Sequence, residues 1–197
     1  MSSSATGPVV TIGSGRIAGS EANGVHRFLG VPYAAPPFGG RRFALPQPYP
    51  AWEGVRDATR KGPMSPQPVP TPGEMEKLLP GLDIAPLVGD GLFQGDDCLL
   101  LNIWAPAEGE NNPVLLFIHG GAFTGGCGSA DVYDGSAFAR RGVVCVTINY
   151  RLGVEGFLPI PGAATNLGLR DQVAALEWVR DNIAAFGGDP SSVTVSG

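Results

Sequence analysis

Basic residues are scarce in this chain, and so are the side chains that usually carry metals or disulfides. Lysine and arginine together number 13, against 18 aspartates and glutamates, for a formal net charge of −5. No electrostatic footprint for a polyanion exists at that balance, so nucleic acid is not an expected partner. The three cysteines, Cys98, Cys127 and Cys145, are an odd set with no C-x-x-C spacing. That pattern favours reduced, buried thiols over a disulfide framework or a zinc site. No apolar run approaches the length needed to span a bilayer, and Met1–Pro8 has neither the basic nor the apolar segment of a secretory leader. A cytoplasmic protein without a membrane partner is the expectation. Internal repeats are also missing, which sets aside solenoids and propellers.

What is present is a single core's worth of apolar sequence. Hydrophobic residues make up 43% of 197 positions, enough for one globular unit or a large piece of one. The 30 glycines and 19 prolines would suggest disorder by themselves, but runs such as Val114–Ile118 and Val143–Val146 argue otherwise. The first stretch reads as short β-elements, Val9 to Ile12, a Gly13-Ser14-Gly15 turn, Arg16 to Ala18, then Arg27 to Tyr33. Residues 62–95 are rich in proline and glycine with one short possible helix, Glu74 to Leu79. After that Cys98–Trp104, Val114–His119, Val143–Asn149 and Val193–Ser196 read as buried strands. A shorter helix is expected from Gly135 to Arg141. The clearest helix has Leu169, Val173, Leu176, Val179, Ile183 and Phe186 at spacings of one turn, Asn166 as N-cap and Gly187-Gly188 as its stop. Strands alternating with helices imply an α/β fold with a doubly wound, mostly parallel sheet and an antiparallel N-terminal region.

The segment richest in chemistry is His119-Gly120-Gly121-Ala122-Phe123, directly after a buried strand. Paired glycines let the backbone turn sharply and bring N–H groups close to a ligand with no Cβ in the way. Such groups can donate to the oxyanion that forms when a nucleophile attacks a carbonyl. By itself, a Gly-rich turn after a strand is also ordinary loop chemistry, so the surroundings decide.

Four segments supply those surroundings: Phe28-Leu29-Gly30-Val31-Pro32-Tyr33-Ala34 with Arg41-Arg42-Phe43; Asp96-Asp97-Cys98 through Asn102-Ile103-Trp104-Ala105-Pro106; Phe117-Ile118-His119-Gly120-Gly121-Ala122-Phe123 to Asn149-Tyr150-Arg151-Leu152-Gly153; and Asn166-Leu167-Gly168-Leu169-Arg170-Asp171-Gln172 to Gly187-Gly188-Asp189-Pro190. In this order they resemble the type-B carboxylesterase family, which includes the cholinesterases and bacterial p-nitrobenzyl esterases. The resemblance implies an α/β-hydrolase in which residues 1–197 are the N-terminal part of one domain. The strand ending at Gly197 should lie beside the Val114–His119 strand and lead into a nucleophile elbow, G-E-S-A-G, whose first glycine is Gly197. The serine, acid and histidine would all follow Gly197, since the triad order of this fold is Ser, acid, His. No other G-x-S-x-G occurs. His26 and His119 are therefore expected to be structural.

Carried over by position, the site residues are the backbone N–H groups of Gly121 and Ala122, with Gly120 shaping the loop and Phe123 and Thr124 walling the acyl side of the cleft. The resemblance also implies that Arg42 meets Asp96 and Arg151 meets Asp171. Where secreted relatives have a cysteine partner for Cys98, this chain has Ser65, and no tryptophan between Ser65 and Asp97 is available to bind a quaternary ammonium group. The expected activity is hydrolysis of a small-molecule carboxylic ester through an acyl-enzyme, without metal or organic cofactor. The missing C-terminal half would be needed, and the chain alone is expected to be inactive. The other reading is a non-catalytic cholinesterase-like binding or adhesion domain; the missing leader and the missing cysteine partner count against it.

Overall fold

Runs of β-branched and aliphatic residues set the strands, and glycine-containing or polar pairs between them set the turns. The computed structural model describes residues 7–68, 74, 77, 80–83 and 85–197. Val9–Ile12 (β1) and Gly15–Ala18 (β2) form an antiparallel hairpin, and Val55–Asp57 (β5) adds in parallel to β2. The main sheet contains Ser20–Ala22 (β3), Val25–Pro32 (β4), Leu100–Pro106 (β6), Asn112–Ile118 (β7), Val144–Ile148 (β8) and Gly188–Ser196 (β9). Its order is β3-β4-β6-β8-β7-β9.

Pairings from β3 to β8 are antiparallel, whereas β7 pairs in parallel with both β8 and β9. The antiparallel region thus extends past the N-terminal strands to the β6–β8 pair. Connection length explains this: the link from β6 to β7 is too short for a crossover, so β7 runs opposite to β6, and β8, which lies between them and is parallel to β7, is therefore antiparallel to β6. The link from β7 to β8 carries the helix Ser136–Ala139 (α2), preceded in the chain by the short helix Ala85–Val88 (α1). That from β8 to β9 carries Gly153–Phe157 (α3) and Leu167–Asn182 (α4).

Period-two alternation sends successive strand residues to opposite faces. On one face Leu101, Ile103, Val114, Leu116, Val146 and Ile148 pack with Ala175, Trp178 and Val179 of α4 and with Ile183 and Phe186 of the 3-10 turn after it. On the other, Trp104 and Cys145 pack with Ala139 of α2. Helices therefore cover both faces, as the alternation of elements predicts. The strand ending at Gly197 also lies beside β7, with Leu116 opposite Val195.

The long helix forms where its apolar spacing predicts but buries a different stripe. Leu169 is 43% exposed and Val173 51%, while Leu167, Gly168, Asp171, Ala175, Trp178 and Val179 are buried. A charged residue occupies a core position, so hydrophobic period misplaces the first two turns. Asn166 stands at the N-cap but in the left-handed region, at φ 54° and ψ 45°, with no side-chain cap bond. Gly187, at φ 80°, ends the helical segment as expected. The helix expected over Gly135–Arg141 is limited to Ser136–Ala139. That expected over Glu74–Leu79 lies mostly outside the described residues.

Asp171 is inside because Arg151 is. The Arg151 Nε donates to Asp171 Oδ2 at 2.8 Å, its NH2 group to Oδ1 at 2.6 Å, and its backbone N–H to Oδ2 at 3.0 Å. NH1 donates to the Ala44 carbonyl at 2.8 Å. The expected Arg151–Asp171 pair is present. Burial pushes the Asp171 carboxyl up from its ordinary value, opposed by the bidentate guanidinium. Arg42, by contrast, pairs with Glu155 of α3 and not with Asp96, its Nε lying 3.1 Å from both carboxylate oxygens. The neighbouring Asp97 is held by Tyr49 and Arg56.

All three cysteines are free and buried, and burial pushes the Cys98 thiol up to about 12, which leaves it unreactive at neutral pH. Ser65, 2% exposed, donates to the Tyr150 carbonyl at 2.7 Å, and its hydroxyl opposes the rise of the Cys98 thiol. A cysteine at position 65 is therefore expected to bridge to Cys98. Closing a loop of that length stabilises by about 4 kcal/mol in the chain-entropy treatment. Thiol titration and thermal unfolding of Ser65→Cys check this: a raised, reductant-sensitive Tm is expected, and two unpaired thiols at these positions under oxidising conditions would contradict the packing.

Candidate active site

Strand β7 ends at Ile118, and the chain turns through His119–Gly126 at the carboxyl edge of the sheet. Gly121 takes φ 125°, and Ala122 and Phe123 follow in the left-handed region at 52° and 62°. A Cβ at Gly121 would lie 2.0 Å from the Gly125 carbonyl oxygen, and one at Gly126 would lie 2.3 Å from that of Gly120. Nothing lies within 4 Å of a Cβ at Gly120. The shape of the loop thus requires glycine at 121 and 126, while Gly120 acts through its carbonyl. Two successive non-glycine residues in the left-handed region cost roughly 1–2 kcal/mol each, strain of the kind stored at functional sites.

Carbonyl anchors offset that strain and set the direction of the N–H groups. His119 Nδ1 lies 2.8 Å from Gly120 O, while Gly121 O accepts from Thr124 N at 3.0 Å, Gly125 N at 3.1 Å and Thr124 Oγ1 at 3.1 Å. A trans peptide points its N–H and C=O oppositely. Anchoring Gly120 O turns the Gly121 N–H away from the loop, and anchoring Gly121 O does the same for Ala122. Neither N–H has an acceptor among the described residues, and both residues are exposed.

Several residues outside the glycine motif hold this loop. Gln67 accepts from Gly126 N at 2.7 Å and donates to Gly126 O at 2.9 Å, the Phe123 carbonyl accepts from Gly153 N at 2.7 Å, and Tyr150 stacks on His119 with ring centroids 4.7 Å apart. Sequence reasoning gave none of these a site role. Tyr150 does stand in a segment that carries the family resemblance and Gln67 does not, and the partners of both come from distant parts of the chain. Phe123, 50% exposed, meets the Phe157 ring at 4.9 Å. With Thr124, Val154 and Leu158 they border an apolar hollow of about 520 Å³. Phe123 and Thr124 thus follow directly on Gly121 and Ala122 at the edge of this hollow.

His119 is a buried structural group. Gly120 O can only accept, so Nδ1 must carry the proton; Nε2 is buried and unpartnered. Burial pulls its pKa below the ordinary value, with the bond to Gly120 opposing. His26 lies in β4, 3.6 Å from Glu21, far along the sheet order from the loop. Among the described residues no group of three or more His, Cys, Asp or Glu is placed to hold a metal ion, and no helix is long and apolar enough to cross a membrane.

The strand order, with a glycine-rich loop at the end of the parallel strand β7 between β8 and β9, is that of an α/β-hydrolase. Within that class the chain belongs to the carboxylesterase family, whose model matches residues 6–197. It is 46% identical to the para-nitrobenzyl esterase of Bacillus subtilis over 98% of this chain and 38% of the relative. The phenmedipham hydrolase of Pseudarthrobacter oxydans is 45% identical over 98% of this chain and 37% of that protein. Among solved structures, a PNB esterase matches with a TM-score of 0.82 at 46% identity, covering 96% of this chain and 38% of the other. A carboxylesterase of Geobacillus stearothermophilus matches with a TM-score of 0.79 at 46% identity over 95% and 37%. The chain thus spans little more than a third of the length of these relatives.

The depressed His119 pKa gives stability a pH dependence of known sign. Below the unfolded value of 6.5 the unfolded state takes up a proton that the folded state resists. Stability is therefore complete above about pH 6.5 and falls as pH drops toward the folded-state pKa. Urea unfolding at pH 7.5 and 5.5 is expected to show a smaller loss for His119→Gln than for the parent. An equal loss in both would contradict the buried, neutral assignment.

Proposed function

We propose that this chain supplies the electrophile-binding part of a serine carboxylesterase centre acting on small-molecule carboxylic esters. Gly121 and Ala122 donate two backbone hydrogen bonds to the oxyanion of the tetrahedral intermediate, and Phe123 and Thr124 wall the acyl side. The single observation that carries the reading is the pair of N–H groups that find no acceptor among the described residues while their neighbouring carbonyls are anchored. Donors fixed before the reaction need no reorganisation as charge develops, which is where their catalytic value arises.

The end of β9 supports the same reading. Ser196 is in register with Phe117, and a Cβ at Gly197 would lie 2.8 Å from the Ile118 carbonyl oxygen. The family pattern wants glycine at this point, where the strand bends into the elbow. A serine two residues later emerges at the same sheet edge as the His119–Thr124 loop. Acyl transfer then follows: serine attack on the carbonyl carbon, collapse of the oxyanion with loss of the alcohol, and hydrolysis of the acyl-enzyme by water. The relatives named as esterases, and the one named for hydrolysis of phenmedipham, agree with this chemistry.

Residues 1–197 alone, lacking the nucleophile of this scheme, are expected to show no p-nitrophenyl acetate turnover; turnover abolished by a serine-directed phosphonate would overturn that. In the full-length polypeptide, Gly121→Ala keeps the N–H but puts a Cβ 2.0 Å from the Gly125 carbonyl oxygen, so the loop must shift and the donors lose their aim; kcat is expected to fall by about 100- to 1000-fold, the usual effect of losing an oxyanion donor. A kcat within about threefold of the parent would contradict a catalytic role for the fixed shape of this loop.

A further inference from the structure

A side-chain amide grips the far end of the loop that carries Gly121 and Ala122. Gln67 Oε1 accepts the Gly126 N–H at 2.7 Å, while Gln67 Nε2 donates to the Gly126 carbonyl at 2.9 Å and to the Ser65 carbonyl at 3.0 Å. A primary amide carries both donors and an acceptor, so it meets both main-chain groups of one residue as a neighbouring strand would. The same pattern repeats one step back. Gln94 Oε1 accepts the Gln67 N–H at 3.0 Å, and Gln94 Nε2 donates to the Gln67 carbonyl at 2.8 Å. Main-chain bonds hold the Gln94 segment in turn, Met64 N to Phe93 O at 2.8 Å and Gly95 N to Met64 O at 3.2 Å. Two glutamines in series thus tie residues 64–67 and 93–95 to the loop after β7.

Gly126 is where that grip reaches the start of the loop. It packs so closely that a Cβ there would lie 2.3 Å from Gly120 O and 2.6 Å from His119 Nδ1. Its neighbour Gly125 donates to Gly121 O at 3.1 Å, and a Cβ on Gly125 would lie 3.2 Å from Gln67 Oε1. Gly120 O and Gly121 O belong to the planar peptide units whose N–H groups are those of Gly121 and Ala122. A displacement of Gly126 is therefore passed to both units. Gln67 is half-buried and Gln94 exposed, so either can be replaced without opening a cavity in the core.

We propose, on the reading that those two N–H groups are the oxyanion donors, that Gln67, held by Gln94, is a positioning residue for ester hydrolysis: it sets the aim of the donors, and so the rate of the chemical steps, without touching substrate. The full-length polypeptide is assayed with p-nitrophenyl acetate, and kcat is expressed per site titrated to completion by a serine-directed phosphonate, so that unfolded molecules do not count. Gln67→Leu is expected to lower kcat by about 10- to 100-fold, the effect of a small misplacement of aligned groups, with KM within about twofold of the parent, as for an interaction made only in the transition state. A kcat per titrated site within about threefold of the parent overturns the proposal, whatever the change in Tm. Should Gln67→Leu fail to fold, Gln94→Leu frees the Gln67 main chain and leaves its side chain in place; kcat is then expected to fall by about threefold or more at unchanged KM, and a kcat equal to the parent's overturns the proposal. A crystal structure of the phosphonylated parent keeps the two readings apart. With the phosphonyl oxygen on the Gly121 and Ala122 nitrogens, an unaltered kcat in Gln67→Leu overturns the positioning role alone; with that oxygen elsewhere, the donor reading falls and the positioning role with it.

Discussion

The buried pair of Arg151 and Asp171 is the constraint on which the arrangement of the other elements depends. Arg151 is 1% exposed and Asp171 fully enclosed, and the guanidinium also donates to the main-chain carbonyl of Ala44. A buried ion pair is poor evidence of net stability, since desolvating two charges offsets much of their attraction; removing one partner alone costs about 3–5 kcal/mol. Its value here is positional. It joins the exit of β8 to the first turns of α4 and to the segment before β5. Glycine is required for so close an approach: a Cβ at Gly156 or Gly168 would lie within 2.6 Å of the Arg151 carbonyl oxygen.

From this pair the geometry runs directly to the loop. Tyr150, next to Arg151, stacks on His119, and Gly153, two residues on, donates to the Phe123 carbonyl. The Tyr150 carbonyl is itself held by Ser65, and the Asn149 carbonyl by Tyr33 at 2.7 Å. Strained residues at 122 and 123 persist because the chain on either side is fixed. That is the condition under which backbone donors are preorganised instead of adjusting as charge appears. Family membership and these contacts converge on the same loop.

Much of this is visible in the residues themselves. The apolar runs mark β6 and β8 because strands buried on both faces leave an unbroken apolar signal, shorter apolar runs mark the partly exposed β1 and β7, and the glycine pair after β7 marks the loop. The Arg151–Asp171 pair follows from the family pattern. What escapes is whatever depends on residues distant in sequence. The apolar spacing of α4 selects Leu169 and Val173 as core, and the ion pair turns them outward. Arg42 meets Glu155 because α3 brings that carboxylate across, a contact no local pattern announces. Gln67 clamps the loop after β7 from nearly sixty residues away, and Gly121 proves to be the glycine that sterics require, which spacing cannot distinguish from Gly120.

The central claim is that the N–H groups of Gly121 and Ala122 are paired donors held ready for an oxyanion. A crystal structure of the full-length polypeptide phosphonylated at its nucleophile tests it most directly. One phosphonyl oxygen is predicted to lie about 2.7–3.1 Å from both nitrogens, with the loop unmoved and His119 still on Gly120 O. A phosphonyl oxygen directed elsewhere, with these two N–H groups taken up by water or by other protein acceptors, would contradict the account.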